Sequence, residues 1–314
     1  MKVSPTKAHG SRLLQEHELG PEDSSCRICG EKSRTIVATL QHDPRVALLR
    51  CPTCRVDSAA RMPTEETLAS YYQDYFVEDT SVEQDDHVTF HIAERLATHI
   101  LKGLEIPAET AKFRILDFGG GDGSVSTAIA RQVINAGVQQ AYVAVVDVHD
   151  QLVSVDDERI VVEKVVDLER LAGDAFDLVI ASAVLEHIPD PRAIIETLFA
   201  CVRPGGFLYA RTPTITPLMQ LCSRFGIQLD FTFPGHVHDM GQCFWERLLP
   251  TLGMAANFQI VRSKPSIVAT TFQRRFWATA AAYLLKLPWY LLGRCYGLVG
   301  GWEVLCVRCR PAGP

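Results

Sequence analysis

Ile115-Leu116-Asp117-Phe118-Gly119-Gly120-Gly121-Asp122-Gly123-Ser124 is the stretch that decides the fold. Phe113 to Phe118 is a short apolar run that stops at turn residues, as a buried parallel strand does, and Ser124 to Val133 then carries apolar residues at helical spacing. Strand, glycine turn and helix open a βαβ unit. Glycine is needed in such a turn because a residue without Cβ lets the chain bend sharply and approach a ligand, while the helix beyond it offers unpaired N–H groups. The spacing narrows the ligand. Gly119-x-Gly121-x-Gly123 follows Asp117, whereas a dinucleotide-binding loop carries its third glycine one position later, where Ser124 stands.

Outward from this loop the βαβ pattern repeats. Ala141 to Val148 is a second apolar strand with Asp147 near its end and Asp150 as a weaker substitute, and Ile160 to Val166 is a third, followed by Asp167. Phe176 to Ser182 is a fourth, running into Ala183-Val184-Leu185-Glu186-His187-Ile188-Pro189-Asp190-Pro191. Arg203-Pro204-Gly205-Gly206 reads as the turn before a fifth strand, Phe207 to Arg211.

In this order the motifs resemble those of class I S-adenosylmethionine (SAM) dependent methyltransferases, over roughly a hundred residues of the βαβ repeat. The resemblance implies an α/β fold with a Rossmann-like seven-stranded sheet. It implies SAM as cofactor, held by Asp117, Gly119, Gly121 and Gly123 in the loop, by Asp147 on the ribose hydroxyls, by Asp167 beside the adenine amine, and by the turn at Ala183. A bidentate carboxylate suits paired hydroxyl donors, which is the physical sense of Asp147.

Cys26-x-x-Cys29 and Cys51-x-x-Cys54 form the second strong pattern, two pairs spaced as in a four-cysteine zinc ribbon. Gly30 follows the first pair and Pro52 lies inside the second, as tight knuckles require. Four thiolates leave no open coordination position, so the expected Zn²⁺ is structural. A segment this short buries too little apolar surface to fold alone, and metal supplies the missing free energy. A disulfide framework is disfavoured, because Met1-Lys2-Val3 opens the chain without a secretory apolar region; a cytoplasmic protein is expected. Cys306-x-x-Cys309 falls in a strand, where residues three apart face opposite sides, and reads as packing.

The chain has 314 residues, 47% of them hydrophobic, and a net charge of -6. That suits one catalytic domain with a small appendage, and an acidic chain without Lys/Arg runs is not expected to bind nucleic acid. The expected division is a flexible N-terminus at 1–24, the ribbon at 25–60, a helical linker or lid at 61–110, and the catalytic domain at 111–314. Within the linker, Thr64 and Thr67 with two early glutamates suggest a capped helix ending in Tyr71, Tyr72 and Tyr75. A similar tyrosine-rich segment roofs the SAM pocket in zinc-ribbon methyltransferases of bacterial sugar and natural-product pathways; simple packing between domains is the alternative. Val77 to His87 reads as an exposed loop or lid, and His91 to Leu104 as an amphipathic helix.

Methyl transfer needs an aligned nucleophile and, for a hydroxyl, a base. His187 and Glu186 follow the fourth strand, at the carboxyl edge where open α/β sheets bind ligands. His236 and His238 lie in Pro234-Gly235-His236-Val237-His238-Asp239-Met240, which resembles a His-x-His stretch leading into a helix, here Trp245 to Leu252. His238 is the first choice of base, ahead of His236 and His187. Ubiquinone-type O-methyltransferases resemble the chain around Leu185-Glu186-His187 but place a glutamate three residues before Glu186 to bind a divalent ion; Ala183 stands there, which argues against a catalytic metal.

Phe258 to Arg262 and Trp302 to Cys309 read as the sixth and seventh strands, with the apolar segment 263–301 inserted between them. Lys286 and Arg294 interrupt it before it is long enough to span a bilayer. A pair of interfacial helices meeting a membrane, a homodimer contact through 274–300, or a lid over the substrate are the three readings. The expected activity is O-methylation of a small-molecule or saccharide acceptor, with lipid linkage as one form. Carbon methylation of a nucleotide-linked sugar is the nearest alternative, and a non-catalytic, zinc-dependent interaction scaffold is the alternative of another class. A dehydrogenase would need a glycine spacing that this loop lacks.

Overall fold

The structure, a computed structural model, describes residues 2–3, 11–77, 92–104, 106, 110–148, 151–171, 173 and 175–310. The expected lid 77–87 lies almost wholly outside these residues, as does Asp150.

The chain begins with β1 (Lys2–Val3), then enters the ribbon, β2 (Thr35–Gln41), β3 (Val46–Arg50) and β4 (Asp57–Ala59). Two helices follow, α1 (Glu65–Val77) and α2 (Ala93–Leu101). The Thr64 hydroxyl accepts the Thr67 N–H at 3.2 Å, giving α1 the side-chain cap read in the sequence. The catalytic domain then runs β5 (Lys112–Phe118), α3 (Ser124–Asn135), β6 (Gln140–Val146), β7 (Ile160–Lys164), β8 (Phe176–Ser182), α4 (Pro191–Cys201) and β9 (Val202–Thr214). It closes with α5 (Thr216–Ser223), β10 (Gln228–Leu229), β11 (His238–Asp239), α6 (Gln242–Thr251), β12 (Phe258–Pro265), α7 (Phe276–Leu292) and β13 (Gly300–Arg308).

Seven strands form one sheet in the order β12-β13-β9-β8-β5-β6-β7, parallel except for the antiparallel β13 between β9 and β12. Helices α2 and α3 cover one face, where Leu96, Ile100, Ile129 and Val133 pack with Ile115, Val143 and Tyr209. On the other face Phe199 of α4 and Phe244 and Trp245 of α6 pack with Leu116, Val179 and Leu208. Both faces are buried, so the strands read as continuous apolar runs.

Three details depart from the sequence reading. Arg203 to Gly206 is not a turn ahead of a strand but a bulge within β9, because Phe176 pairs with Val202 and Leu178 next with Phe207. A Cβ on Gly206 would stand 2.8 Å from the Phe176 carbonyl, which explains the glycine. The insertion holds one described α-helix, α7, followed by a single 3-10 turn at Gly293–Cys295, not a helix pair.

Residues 11–24 are the third departure, since they pack rather than form a free arm. Leu14 and Leu19 are buried with Val46, Leu48, Phe231 and Val237, and Gln41 bonds both the N–H and the carbonyl of Leu14 at 2.9 and 2.7 Å. The segment expected to be flexible holds two apolar anchors.

Ribbon and catalytic domain share secondary structure. In a four-stranded sheet of order β11-β4-β3-β2, His238 and Asp239 pair antiparallel with Ser58 and Asp57. The cysteine knuckles belong to the same apolar cluster as the catalytic sheet: Cys26, Cys51, Cys54 and Val56 lie with Leu116, Met240 and Trp245.

Candidate active site

The glycine loop leaves β5 at the carboxyl edge of the sheet. Gly119, Gly121 and Gly123 have φ of 69°, 57° and 76°, a region in which other L residues are strained. Asp117 is buried beneath them, and a Cβ on Gly120 would lie 2.4 Å from its carboxyl carbon. Burial pushes Asp117 up to about 6, with the carboxylates of Asp147 and Asp122 acting in the same direction. Among the described residues its Oδ2 has no hydrogen-bond partner. Asp147, just past β6, accepts the Gly121 N–H at 2.7 Å, so this carboxylate holds the loop from the neighbouring strand.

These features fit SAM: a buried carboxylate with one unpartnered oxygen, an open glycine backbone and the N-terminus of α3 converge where a cationic, hydroxyl-rich ligand would lie. Asp167 is exposed and accepts the Glu169 N–H at 2.9 Å, opening a 3-10 turn at Leu168–Leu171. Asp147→Ala removes both an acceptor for the ligand and a brace of the loop. We expect SAM affinity to fall about 10- to 150-fold by calorimetry, the range for losing a charged hydrogen bond; unchanged affinity would remove Asp147 from the site.

Beside the loop, β8 is followed by Ala183, whose φ of 60° is unusual for a residue with a side chain. Its N–H donates to the Arg211 carbonyl at 2.8 Å, and the chain then turns once through Leu185–His187. Glu186 is buried, and burial pushes its carboxyl up to about 8 despite the nearby Arg211 charge. Its Oε2 has no partner among the described residues.

His187 Nδ1 lies 2.8 Å from the Gly235 carbonyl and Nε2 lies 4.0 Å from Glu186 Oε1. A carbonyl can only accept, so Nδ1 carries the proton of the neutral ring, and the Ala183 backbone also lies against the imidazole. Burial holds His187 down at about 4. The His236 ring centroid is 4.8 Å from that of His187, and its Nδ1 is 2.6 Å from the Thr232 hydroxyl. Ligating atoms of Glu186, His187 and His236 all fall within 4.8 Å of one another, close enough to hold a cation in common.

Tyr71 and Tyr72 of α1 border this cluster. The Tyr72 ring lies 6.3 Å from that of His187, and a Cβ on Gly235 would meet the Tyr71 hydroxyl at 2.9 Å. Tyr75 has no described side chain.

His238 lies apart from its expected company. It is wholly buried, with Nδ1 2.8 Å from Ser58 Oγ and Nε2 2.9 Å from the Ile188 carbonyl. Burial holds it down at about 4. Asp239 beside it accepts the Ile215 and Thr216 N–H groups at 2.7 and 2.5 Å, capping α5. Sequence reasoning missed Ser58 and Thr232, the hydroxyl partners of the two histidines. The Thr232–His236 spacing was the only available signal, since Ser58 is distant in sequence.

The four cysteines converge as their spacing predicts. Cys26 and Cys54 sulfurs are 3.5 Å apart, as are those of Cys29 and Cys51, and all four lie within 4.8 Å of one another. A disulfide is about 2.05 Å. Tetrahedral zinc at about 2.3 Å from each sulfur sets its ligands about 3.8 Å apart, so the cluster fits Zn²⁺. Each knuckle closes through a left-handed residue, Gly30 at φ 76° and Arg55 at φ 67°.

Residues 83–278 match a protein family described as a methyltransferase domain. The chain belongs to this methyltransferase family. It is similar to the ubiquinone biosynthesis O-methyltransferase of Xanthomonas campestris pv. campestris, 39% identical over 108 residues, covering 33% of this chain and 44% of the relative. The enzyme of the same description from Pseudomonas fluorescens is 32% identical over 120 residues, 37% of this chain and 50% of the relative. The chain thus spans half or less of these relatives' length. Among solved structures, a magnesium protoporphyrin IX methyltransferase from Synechocystis is similar at 17% identity and a TM-score of 0.43, covering 78% of this chain and 95% of that one. A SAM-dependent methyltransferase from Mesorhizobium loti gives 18% and 0.41, with 69% and 98% covered.

Proposed function

We propose that this methyltransferase methylates a hydroxyl oxygen of a small-molecule or saccharide acceptor, and that His187 is the base. The observation that carries the reading is the cluster of buried Glu186 and His236 with half-buried His187 at the carboxyl edge, beside the glycine loop. The relatives similar over part of the chain are named O-methyltransferases, which agrees with an oxygen acceptor.

When bound, SAM supplies an electrophilic methyl on a sulfonium. The protein's task is to align the acceptor and take its proton. His187 enters that task neutral, because burial disfavours the imidazolium. Its Nε2 lone pair takes the hydroxyl proton, and an ionised Glu186 at 4.0 Å stabilises the resulting imidazolium. Tyr71 and Tyr72 close the acceptor side. His236, set by Thr232, orients the acceptor as a second hydrogen-bonding group.

His238 is then a positioning residue that ties β4 to the turn after β8, and the first-choice base moves to His187. The same seating supports a division in which 25–60 and 111–314 work as one unit joined through β11. Carbon methylation would use the same base on an acidic C–H.

Because Glu186 must be ionised to support His187, kcat/KM should rise with pH through about 8, the value to which burial lifts this carboxyl. In Glu186→Gln that rise should vanish, and His187→Ala should lower kcat about 10²- to 10⁴-fold, while His238→Asn should act on stability first. An acceptor screen over phenols, free sugars and lipid-linked sugars supplies the substrate. Strong stimulation by Mg²⁺ that is lost in His236→Ala would instead assign the cluster to a divalent cation, which its spacing also accommodates.

A further inference from the structure

Segment 263–302 contains Lys264, Arg274, Arg275, Lys286 and Arg294 and no Asp or Glu, in a chain whose net charge is -6. Helix α7 at its centre is anchored on one side only. Thr279 bonds Thr270 at 2.8 Å, Lys286 Nζ reaches Ser266 Oγ at 3.0 Å, and Trp289 packs edge-on to Trp302 with ring centroids 5.5 Å apart. The other side is apolar and open: Trp277 is 82% exposed, Leu284 67% and Leu291 83%, with Leu287 and Tyr290 beside them. The sequence steps of seven and seven place these residues along one helical stripe.

The placement of this stripe follows from topology. Gly300 at the start of β13 pairs with Thr214 at the end of β9, and Trp302 pairs with Pro265 at the end of β12. The insertion therefore leaves and re-enters the sheet at the carboxyl edge of the parallel strands. Gly119 and Glu186 follow the carboxyl ends of β5 and β8 at that same edge.

We propose that α7 docks the enzyme on an anionic lipid surface, lying in the plane of the headgroups with its catalytic edge turned toward the bilayer. Apolar and aromatic side chains enter the acyl boundary, and Arg274 and Arg275 at the helix start meet lipid phosphates. At 17 residues, about 26 Å, α7 lies on the surface rather than crossing it, and no described helix is long and apolar enough to cross a membrane. A second copy of the chain fits less well. Glu246 and Glu303 already pair with Arg294 and Lys264 at 3.2 and 3.7 Å, so self-pairing would bring Arg274 and Arg275 of two copies together with no carboxylate inside either segment to answer them.

The test is cosedimentation of the zinc-loaded full chain with phosphatidylcholine vesicles and with vesicles that also contain phosphatidylglycerol. Binding to the anionic vesicles, weaker on the neutral ones and reduced by salt, is the expected result. The double variant R274Q/R275Q should bind about thirtyfold more weakly, at roughly a tenfold factor or less per lost charge. Trp277→Glu with Leu284→Glu should abolish binding while SAM titration of the same sample stays unchanged, which separates this surface from the cofactor site. Absence of binding, or equal binding to both vesicles, overturns the proposal. So does a concentration-dependent dimer in light scattering that Leu284→Glu dissolves, for then a second copy covers the stripe.

Discussion

Stripping the metal from the four-cysteine site abolishes methyl transfer and unfolds much of the chain: this is the expected result of chelation, and it follows from where the knuckles sit. In many zinc proteins a ribbon hangs from the catalytic domain and its loss is local. Here Cys26, Cys51 and Cys54 are packed in the cluster that covers one face of the catalytic sheet. Further ties join the two parts. Arg27 pairs with Asp190 at the start of α4 at 2.6 Å, Arg247 of α6 donates to the Pro52 and Thr53 carbonyls at 3.2 and 3.1 Å, and β4 pairs with β11. The Val237 N–H in turn donates to the Glu186 carbonyl at 2.9 Å, so the ribbon's partner strand leads directly to the proposed acid–base cluster. Structural zinc contributes ~10–16 kcal/mol of apparent folding free energy in small sites, as large as the whole stability of an ordinary domain. Chelation or Cys54→Ser should therefore remove the cooperative thermal transition of the full chain and SAM binding together, whereas Cys309→Ser, at an exposed cysteine outside the cluster, should change neither. A chelated protein that keeps its main transition and still binds SAM would show the ribbon to be an appendage after all.

What the sequence made legible divides along a physical line. The glycine loop, the order of the parallel strands and the cysteine cluster were readable because each is local: a βαβ unit, a left-handed turn or a C-x-x-C knuckle is specified within a few consecutive residues. The His-x-His stretch was legible as a feature but not as a role. Alternation along the two-residue strand β11 sends His238 toward Ser58 and the ribbon, and only the pairing of β11 with β4, across 180 residues of sequence, reveals that. Likewise nothing local marks Leu14 and Leu19 as anchors, because the surface they cover comes from β3 and from the 231–237 loop. The bulge at Arg203–Gly206 imitates a turn in sequence for the same reason: Pro-Gly-Gly reports a bend, and only the neighbouring strand decides whether pairing resumes beyond it.

Two glycines two residues apart in the same loop should fail in different ways, and the contrast tests the assignment of the cofactor site. Gly119 and Gly121 both have positive φ, 69° and 57°, so alanine at either carries the cost of a left-handed backbone, ~1–2 kcal/mol. Their surroundings differ. A Cβ on Gly119 would stand 2.4 Å from Val184 Cγ2, inside the turn that carries Glu186, whereas a Cβ on Gly121 meets nothing within 4 Å. Gly119→Ala must therefore also push Val184 aside, an overpacking cost of ~1–3 kcal/mol in addition to the strain. It should lower the melting temperature clearly and disturb kcat through the neighbouring turn as well as weakening SAM. Gly121→Ala should melt only slightly lower, yet it places a methyl in the open space above the loop and beside the N–H that Asp147 holds. If that space belongs to SAM, the small structural change should be accompanied by a loss of affinity out of proportion to it, tenfold or more by calorimetry. The decisive quantity is the ratio of lost affinity to lost stability, which should be larger for Gly121→Ala than for Gly119→Ala. Equal ratios would mean that both substitutions act by loosening the loop, and the open face of Gly121 would then not be where the cofactor lies.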